Sequence, residues 1–403
     1  MLPASPSKMN IPAKSASILA KRIQAVQPSM TLAIEAKAKR LKQEGIDIVS
    51  FSAGEPDFDT PETIKQATID SLKKGFTKYT PASGTLELRK AISEKLARDN
   101  HLSYTPEQIV VSCGAKHSLY NILQVLVEQG DEVIIPSPYW LSYPEMVTLA
   151  GGTSVILKTK FEDGYLFKPS DLEKAITPKT KVLILNSPSN PTGAVFSKKL
   201  LEEVVRIAKA HRFFILSDEI YEKLVFDGLA HYSIGALDPA ILERTITVGG
   251  ASKAYAMTGW RLGFSAAPKP IAEAVASLQS HSTSNPTSFA QVGYLEGLKS
   301  AEPEIQKMRA VFEKRRDLIF KIASSIPKLK PFRPSGAFYL FIDISSTGIS
   351  SLEFSSRLLD EAQVAVVPGA SFGHDEAIRL SFATSDALIE KGLARIREWT
   401  AKL

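Results

Sequence analysis

Between residues 108 and 248, short apolar runs alternate with helical segments, and this alternation confines the chain to one broad architecture. The runs 109–111, 132–135, 154–157, 182–185, 213–216 and 245–248 are too short for helices and rich in residues that favour strands. Helical segments lie between several of them. One spans 117–128, with Leu119, Ile122, Leu123 and Leu126 on a single face, and another spans 200–210. Strands that are apolar on both faces need cover on both sides. The pattern therefore predicts an α/β fold with a mostly parallel sheet sandwiched by helices. In such sheets ligands sit beyond the carboxyl ends of the strands.

After Pro303 the texture changes. A helix over 308–326 leads to a strand at 336–344, a helix at 352–361, strands at 364–368 and 378–382, and a closing helix at 386–403. This reads as a smaller α+β domain. It is joined by helical sequence running from Ile18 to Leu41, interrupted at Pro28, and by a strand at 46–50. The expected division is a small domain of residues 17–60 and 300–403 around a large domain of residues 61–299. Within the latter, Pro61 and Glu62 open a helix with Thr60 or Asp59 as its cap, and 86–98 forms an amphipathic helix. Residues 1–16 are rich in Pro, Ser and Lys without an acid or an apolar core, which predicts a disordered extension and not a secretory signal.

Composition removes several function classes. The net charge of +6 arises from 49 basic and 43 acidic residues that are interleaved, with no aromatic-studded basic stripe for nucleic acid. A modest positive balance suits small anions equally well. The single cysteine, Cys113, excludes an internal disulfide and fits a reducing compartment. No apolar run reaches the roughly 18 residues of a membrane span.

The chemistry gathers after the strand runs. Lys253 stands in ASKAYAMTGWRLG, just past 245–248 and the pair Gly249-Gly250, among small residues that let a ligand approach the backbone. A lysine able to form a Schiff base, with Ser252 and Arg261 placed for a phosphate, is what pyridoxal phosphate requires; a solvated loop lysine is the plainer reading. Gly114, Ala115 and Lys116 begin a helix whose free amides and dipole favour a phosphate, or form a simple strand-to-helix turn. Asn190 lies in NSPSNPTG, which specifies a rigid turn. Asp218 ends an apolar run where a carboxylate needs a cation such as a pyridinium nitrogen, unless it merely caps a helix. Arg379 interrupts an apolar strand pattern and should meet a carboxylate, either internal or a substrate's.

The motifs SAGEPDFDTP, TKYTP, SPYWLSYPEM, NSPSNPTGAVF, SDEIYE, SKAYAMTGWRLG, PSGAFY and RLSFATS follow in this order. On them the chain resembles the class I aminotransferases among the fold-type-I pyridoxal-phosphate enzymes. Within these it is similar to the aspartate aminotransferase branch of bacteria and plastids, from about Ile18 to the C-terminus. The resemblance implies that Lys253 binds the cofactor covalently and shuttles protons, and that Asp218 keeps the pyridine nitrogen protonated. It implies that Asn190 and Tyr221 bond the phenolic oxygen and that Trp140 stacks on the ring. Gly114, Ala115, the backbone of Lys116, Ser252 and Arg261 would hold the phosphate, with Tyr79 reaching in from a partner subunit. Gly54, Arg379, Trp140 and Asn190 would receive the substrate's α-carboxylate. Residues 279–286 contain no arginine for a distal carboxylate, so Lys116 and Thr31 would take that part. Gln27 replaces the lysine usual in this branch.

The implied protein is a cytoplasmic homodimer without a metal, acting on small amino acids and 2-oxo acids and not on nucleic acid or membranes. The implied reaction moves an amino group between L-aspartate and 2-oxoglutarate. Prephenate transamination to arogenate, alone or in addition, is the nearest alternative. A transcription regulator or a lyase on the same fold would be the others. The regulator would require a DNA-binding domain ahead of the homology.

Overall fold

The computed structural model describes residues 18–26 and 30–403. The extension expected over 1–16 and Gln27 lie outside them, and so does the side chain of Thr31. Val49–Ser50 forms β1. The central sheet comprises Ile109–Ser112 (β2), Glu132–Ser137 (β3), Thr153–Lys158 (β4), Thr180–Asn186 (β5), Phe214–Asp218 (β6), Thr245–Gly250 (β7) and Gly263–Ala266 (β8). The order is β2-β8-β7-β6-β5-β3-β4, and every strand but β8 runs parallel. The chain is therefore α/β, with helices on both faces of the sheet.

Successive residues of β5 show why both faces are covered. Val182 and Ile184 pack with Leu119 and Ile122 of helix Ala115–Leu126, whereas Leu183 and Leu185 pack with Leu201 and Val204 of helix Lys198–His211. Alternate side chains of a strand point to opposite faces, so a wholly apolar run can only sit between two helical layers. Strand β8 has no such signature. Its sequence GFSA is short and small, and it forms because β2 and β7 flank it with antiparallel ladders.

A second sheet, antiparallel, collects the C-terminal strands: Lys330–Phe332 (β9), Tyr339–Asp343 (β10), Val367–Pro368 (β12) and Ala377–Ser381 (β13), in the order β12-β13-β10-β9. The single strand expected over 364–368 is two pieces. Val364–Ala365 (β11) pairs in parallel with β1, and the chain then crosses to the second sheet. The helix expected at 308–326 spans Glu302–Ser324. One carbonyl joins the two sheets: Gly193 O accepts from the amides of both Ser335 and Gly336 at 2.9 Å. Gly193 has a φ of 70°, and a Cβ there would lie 2.3 Å from Pro334 Cβ.

The expected cap at residues 59–60 is not formed. Helix Glu62–Lys73 starts behind Pro61 with no side-chain cap. Thr60 Oγ1 instead donates to Ala256 O (2.7 Å) and accepts from Trp260 Nε1 (3.0 Å), which ties the 51–60 loop to the segment after Lys253. Proline at the start leaves fewer orphan amides to cap, so the threonine is free for the loop.

The tightest backbone contact lies between β8 and the start of helix Ala115–Leu126. A Cβ on Gly263 would stand 2.1 Å from Ala115 N, with only backbone to give way. Gly263→Ala should destabilise the protein by about 1–3 kcal/mol or more, through overpacking. Urea unfolding checks this, and an unchanged midpoint would contradict the contact.

Candidate active site

Strands β5, β6 and β7 end at one edge of the sheet, with Asn186 and Asp218 paired in register. A cavity of about 470 Å³ opens there, lined among others by Lys116, Trp140, Asn190, Asp218, Lys253 and Arg379. Gly54, Ala115, Tyr221, Ser252 and Arg261 also line it, and Gly114 directly precedes Ala115. Tyr79 does not; it is 89% exposed and lies away from its own chain's cavity. Thr31 begins helix Met30–Gln43, but its side chain is outside the described residues.

Asp218 is buried at the end of β6. Its Oδ2 accepts from Tyr143 OH (2.7 Å) and its Oδ1 from Ile220 N (3.2 Å), and no cation pairs with it among the described residues. Burial lifts its carboxyl from 3.8 to about 6, against the lowering pull of those two hydrogen bonds. No helix follows Asp218, only a turn over residues 220–223, so helix capping does not explain it. Next along the chain, Glu219 is buried under three donors: Ser217 Oγ (2.9 Å), Ser233 Oγ (2.5 Å) and Asn100 Nδ2 (3.1 Å). His231 Nε2 lies 3.0 Å from the same carboxylate. That network fixes the turn carrying Asp218 and Tyr221.

Lys253 Nζ donates to Gly54 O at 2.6 Å and stands 5.9 Å from the ring centres of both Tyr221 and Phe338. Burial brings its ammonium down to about 8, an effect that Glu55 partly opposes and that Arg379 and Arg261 add to. A neutral amine, the form a nucleophile or a proton acceptor needs, is thus accessible near neutral pH. Tyr221 OH shares a 2.8 Å hydrogen bond with Tyr339 OH, and burial pushes the Tyr221 phenol well above its usual value. It remains a donor.

Arg379 shows the opposite imbalance. It is buried, donates from Nη1 to Asn190 Oδ1 (3.1 Å) and from Nη2 to Ser52 O (2.9 Å), and stacks 4.4 Å from the Tyr339 ring. No carboxylate pairs with it among the described residues, and its Nε has no partner at all. Of the two carboxylates expected for this arginine, internal or a substrate's, the described residues supply no internal one. Lys116 likewise lacks an acid; its Nζ lies 4.7 Å over the Trp140 ring, and burial lowers its ammonium.

At the other end, Gly114 takes a φ of 96° and its carbonyl accepts from the amides of His117 and Ser118. The amides of Ala115 and Lys116 are left free among the described residues. Arg261 donates to Thr258 O (2.8 Å), and its Nη2 would lie 2.6 Å from a Cβ on Gly114. Two free amides at a helix start, a guanidinium and the cavity-facing Ser252 make a cradle for a phosphate dianion. Asn190 is held by its own backbone, which donates to Asn186 Oδ1 at 2.8 Å, while Asn186 Nδ2 donates to Asp218 O at 3.1 Å.

Tyr143, Tyr339, Ser52, Asn186, Glu35, Glu55 and Thr258 also face the cavity and were not singled out in the sequence. Tyr143 and Tyr339 stand inside the motifs SPYWLSYPEM and PSGAFY, but what they touch lies 75 and 118 residues away.

A profile of the aminotransferase class I and II family matches residues 46–396. The chain belongs to that family. An aspartate aminotransferase of Bacillus sp. (strain YM-2) is 48% identical over 384 residues, 94% of this chain and 98% of that one. An aspartate/prephenate aminotransferase of Thermus thermophilus is 47% identical over 383 residues, covering 94% of this chain and 97% of that one. A solved aspartate aminotransferase from Thermus thermophilus with maleate superposes with a TM-score of 0.91 at 46% identity, over 94% of this chain and 99% of that one. As an aminotransferase of this fold the chain uses pyridoxal phosphate, and the cradle, the uncompensated carboxylate of Asp218 and the low-pKa amine of Lys253 fit that group.

Two outcomes follow for this aminotransferase stripped of cofactor. Asp218 has a folded pKa above its unfolded one, so its charge destabilises the fold. That cost is absent below about pH 4 and complete above about pH 6. Asp218→Asn should therefore stabilise the cofactor-free protein at pH 8 by up to about 3 kcal/mol, with the gain shrinking on acidification. Thermal melts across pH test this, and a gain independent of pH would contradict it. Amine acylation followed by peptide mass spectrometry should show Lys253 half-reactive near its pKa of about 8, whereas surface lysines titrate near about 10.4.

Proposed function

We propose that the chain catalyses reversible amino transfer between L-aspartate and 2-oxoglutarate, giving oxaloacetate and L-glutamate. The observation that carries this reading is the pair of unmatched cations in one cavity. Among the described residues neither Arg379 nor Lys116 pairs with a carboxylate, which leaves both for a dicarboxylate.

Bound pyridoxal phosphate supplies an electron sink for the pair freed at the amino acid's Cα. The amides of Ala115 and Lys116, the Ser252 hydroxyl and the Arg261 guanidinium would hold its phosphate. Asp218 would hold the pyridine nitrogen in its protonated form, which returns to that buried carboxylate the cation it lacks. Asn190 and Tyr221 would donate to the phenolic oxygen, and Trp140 would cover a face of the ring. Lys253 Nζ, poised near neutrality, would take the proton from Cα and return it.

Arg379 presents its planar fork, clamped by Tyr339 and Asn190, to the α-carboxylate that every amino-acid substrate carries. Lys116 places a flexible point charge for the distal carboxylate, with Thr31 expected beside it. The Thermus relative's structure holds maleate, a four-carbon dicarboxylate, which supports a dicarboxylate substrate here.

A second reading, transamination of prephenate, draws on the name of the 47%-identical Thermus relative. Prephenate also carries two carboxylates. The replacement of the branch's usual lysine by Gln27 removes one cation that such a substrate would meet.

The same reading makes the protein a cytoplasmic homodimer with shared sites, a small domain of residues 17–60 and 300–403 closing on residues 61–299. The stretch around Tyr79 exposes Ile69, Leu72, Phe76 and Leu86, an apolar surface suited to a second copy. Among the described residues no helix is long and apolar enough to cross a membrane.

Steady-state kinetics with aspartate, glutamate, alanine, tyrosine and prephenate test the assignment. Arg379→Ala should reduce kcat/KM for every donor by roughly tenfold to a hundredfold, the loss of one charged hydrogen bond. Lys116→Ala should reduce it comparably for the dicarboxylates while sparing alanine and tyrosine. Equal losses across all donors in the Lys116 variant would remove the distal-site reading.

A further inference from the structure

Between helices Glu62–Lys73 and Leu86–Asn100 the chain runs for twelve residues without regular structure, and Tyr79 projects from it almost fully exposed. Such a loop would ordinarily be mobile. Here it is bonded to the body of the protein along its length by side chains from two helices, Lys269–Ser280 and Ser288–Ser300.

At its start, Phe76 O accepts from Ser288 Oγ (3.0 Å). Beside Tyr79, Thr80 Oγ1 accepts from Gln291 Nε2 (3.1 Å), and Gln291 Oε1 accepts from Thr85 N (2.8 Å). The remaining Gln291 proton goes to Pro286 O (3.0 Å). Ala82 O accepts from Gln279 Nε2 at 2.6 Å. Gln279 is 0% exposed and Gln291 1%, so both amides are beyond the reach of water.

A buried amide left without its partners costs about 1–3 kcal/mol for each unsatisfied group. Releasing the loop would strand these groups, so the loop stays docked. Gln279 also donates to Val111 O (2.8 Å) on β2, the strand that runs on to Gly114 and the phosphate cradle. One side-chain amide therefore ties the segment bearing Tyr79 to the cradle of the same chain.

We infer that Gln279 and Gln291 are positioning residues that hold Tyr79 in the orientation in which it meets the cofactor phosphate of a second copy. This rests on the shared-site reading above. A loop fixed in advance loses little backbone freedom when its tyrosine engages, and the phosphate is gripped more tightly for it.

The test measures the affinity of the cofactor-free full chain for pyridoxal phosphate by fluorescence quenching, with the oligomeric state followed by sedimentation velocity. The variants are Tyr79→Phe, Gln291→Leu and Thr80→Val, with each of the last two also combined with Tyr79→Phe. Thr80→Val removes only the loop's acceptor and keeps the question answerable if Gln291→Leu does not fold. Tyr79→Phe should weaken binding about tenfold, and Gln291→Leu and Thr80→Val by a smaller factor in the same direction. In the Tyr79→Phe background neither should weaken it further, because they act through that hydroxyl.

Equal weakening in both backgrounds, or none in either, would overturn the positioning role while leaving the shared site intact. An unchanged affinity in Tyr79→Phe itself would refute the shared-site reading and this inference with it.

Discussion

Asp218 is a carboxylate sealed at the end of a buried strand, held by one phenol and one amide and, among the described residues, by no cation. Burial pushes such a group towards its neutral form and lifts its carboxyl to about 6, while the two hydrogen bonds pull the other way. The surrounding architecture exists to keep it there. Apolar strands covered on both faces exclude water, and the bonded turn through Glu219 prevents the end of β6 from relaxing outward. The site therefore carries a buried negative charge that calls for a positive group.

Arg379 repeats the theme with the charge reversed and from the other sheet. Its strand pairs with β10, which also presents Tyr339, so one antiparallel ladder supplies both the guanidinium and the ring beneath it. Tyr339 in turn bonds Tyr221, which follows β6. A chain of contacts thus runs from the anion in the parallel sheet to the cation in the antiparallel one. Neither charge neutralises the other, because each is committed to neighbours that hold its orientation without satisfying it.

Much of this was legible beforehand, and unevenly. The parallel sheet announced itself because buried strands must be apolar on both faces, and the residues at their carboxyl ends stood out as polar groups where none should be. Asp218 was visible for that reason, Arg379 as a charge inside an apolar strand of the second sheet, and Asn190 and Lys253 by the Pro- and Gly-rich turns that follow strands. Strand β8 was not, since GFSA owes its conformation to its two neighbours and not to its own residues. Thr60 looked like a helix cap because capping is local, whereas its bond to Ala256 spans 196 residues. Tyr143 and Tyr339 were hidden the same way. An aromatic in an apolar context looks like core until the fold reveals what its hydroxyl reaches.

The glycines at the phosphate end bear on how such a site can diversify. A Cβ on Gly250 would meet Gly263 Cα at 2.8 Å, one on Gly263 would meet Ala115 N at 2.1 Å, and one on Gly114 would meet Arg261 at 2.6 Å. At Gly250 and Gly263 backbone rests on backbone, and at Gly114 the Arg261 side chain would have to leave the place that its bond to Thr258 O gives it. The opposite wall is built from side chains, including Lys116, Trp140 and the exposed Glu35. A substitution in the side-chain wall can therefore be taken up by its neighbours, whereas one at these glycines has to shift several contacts at once.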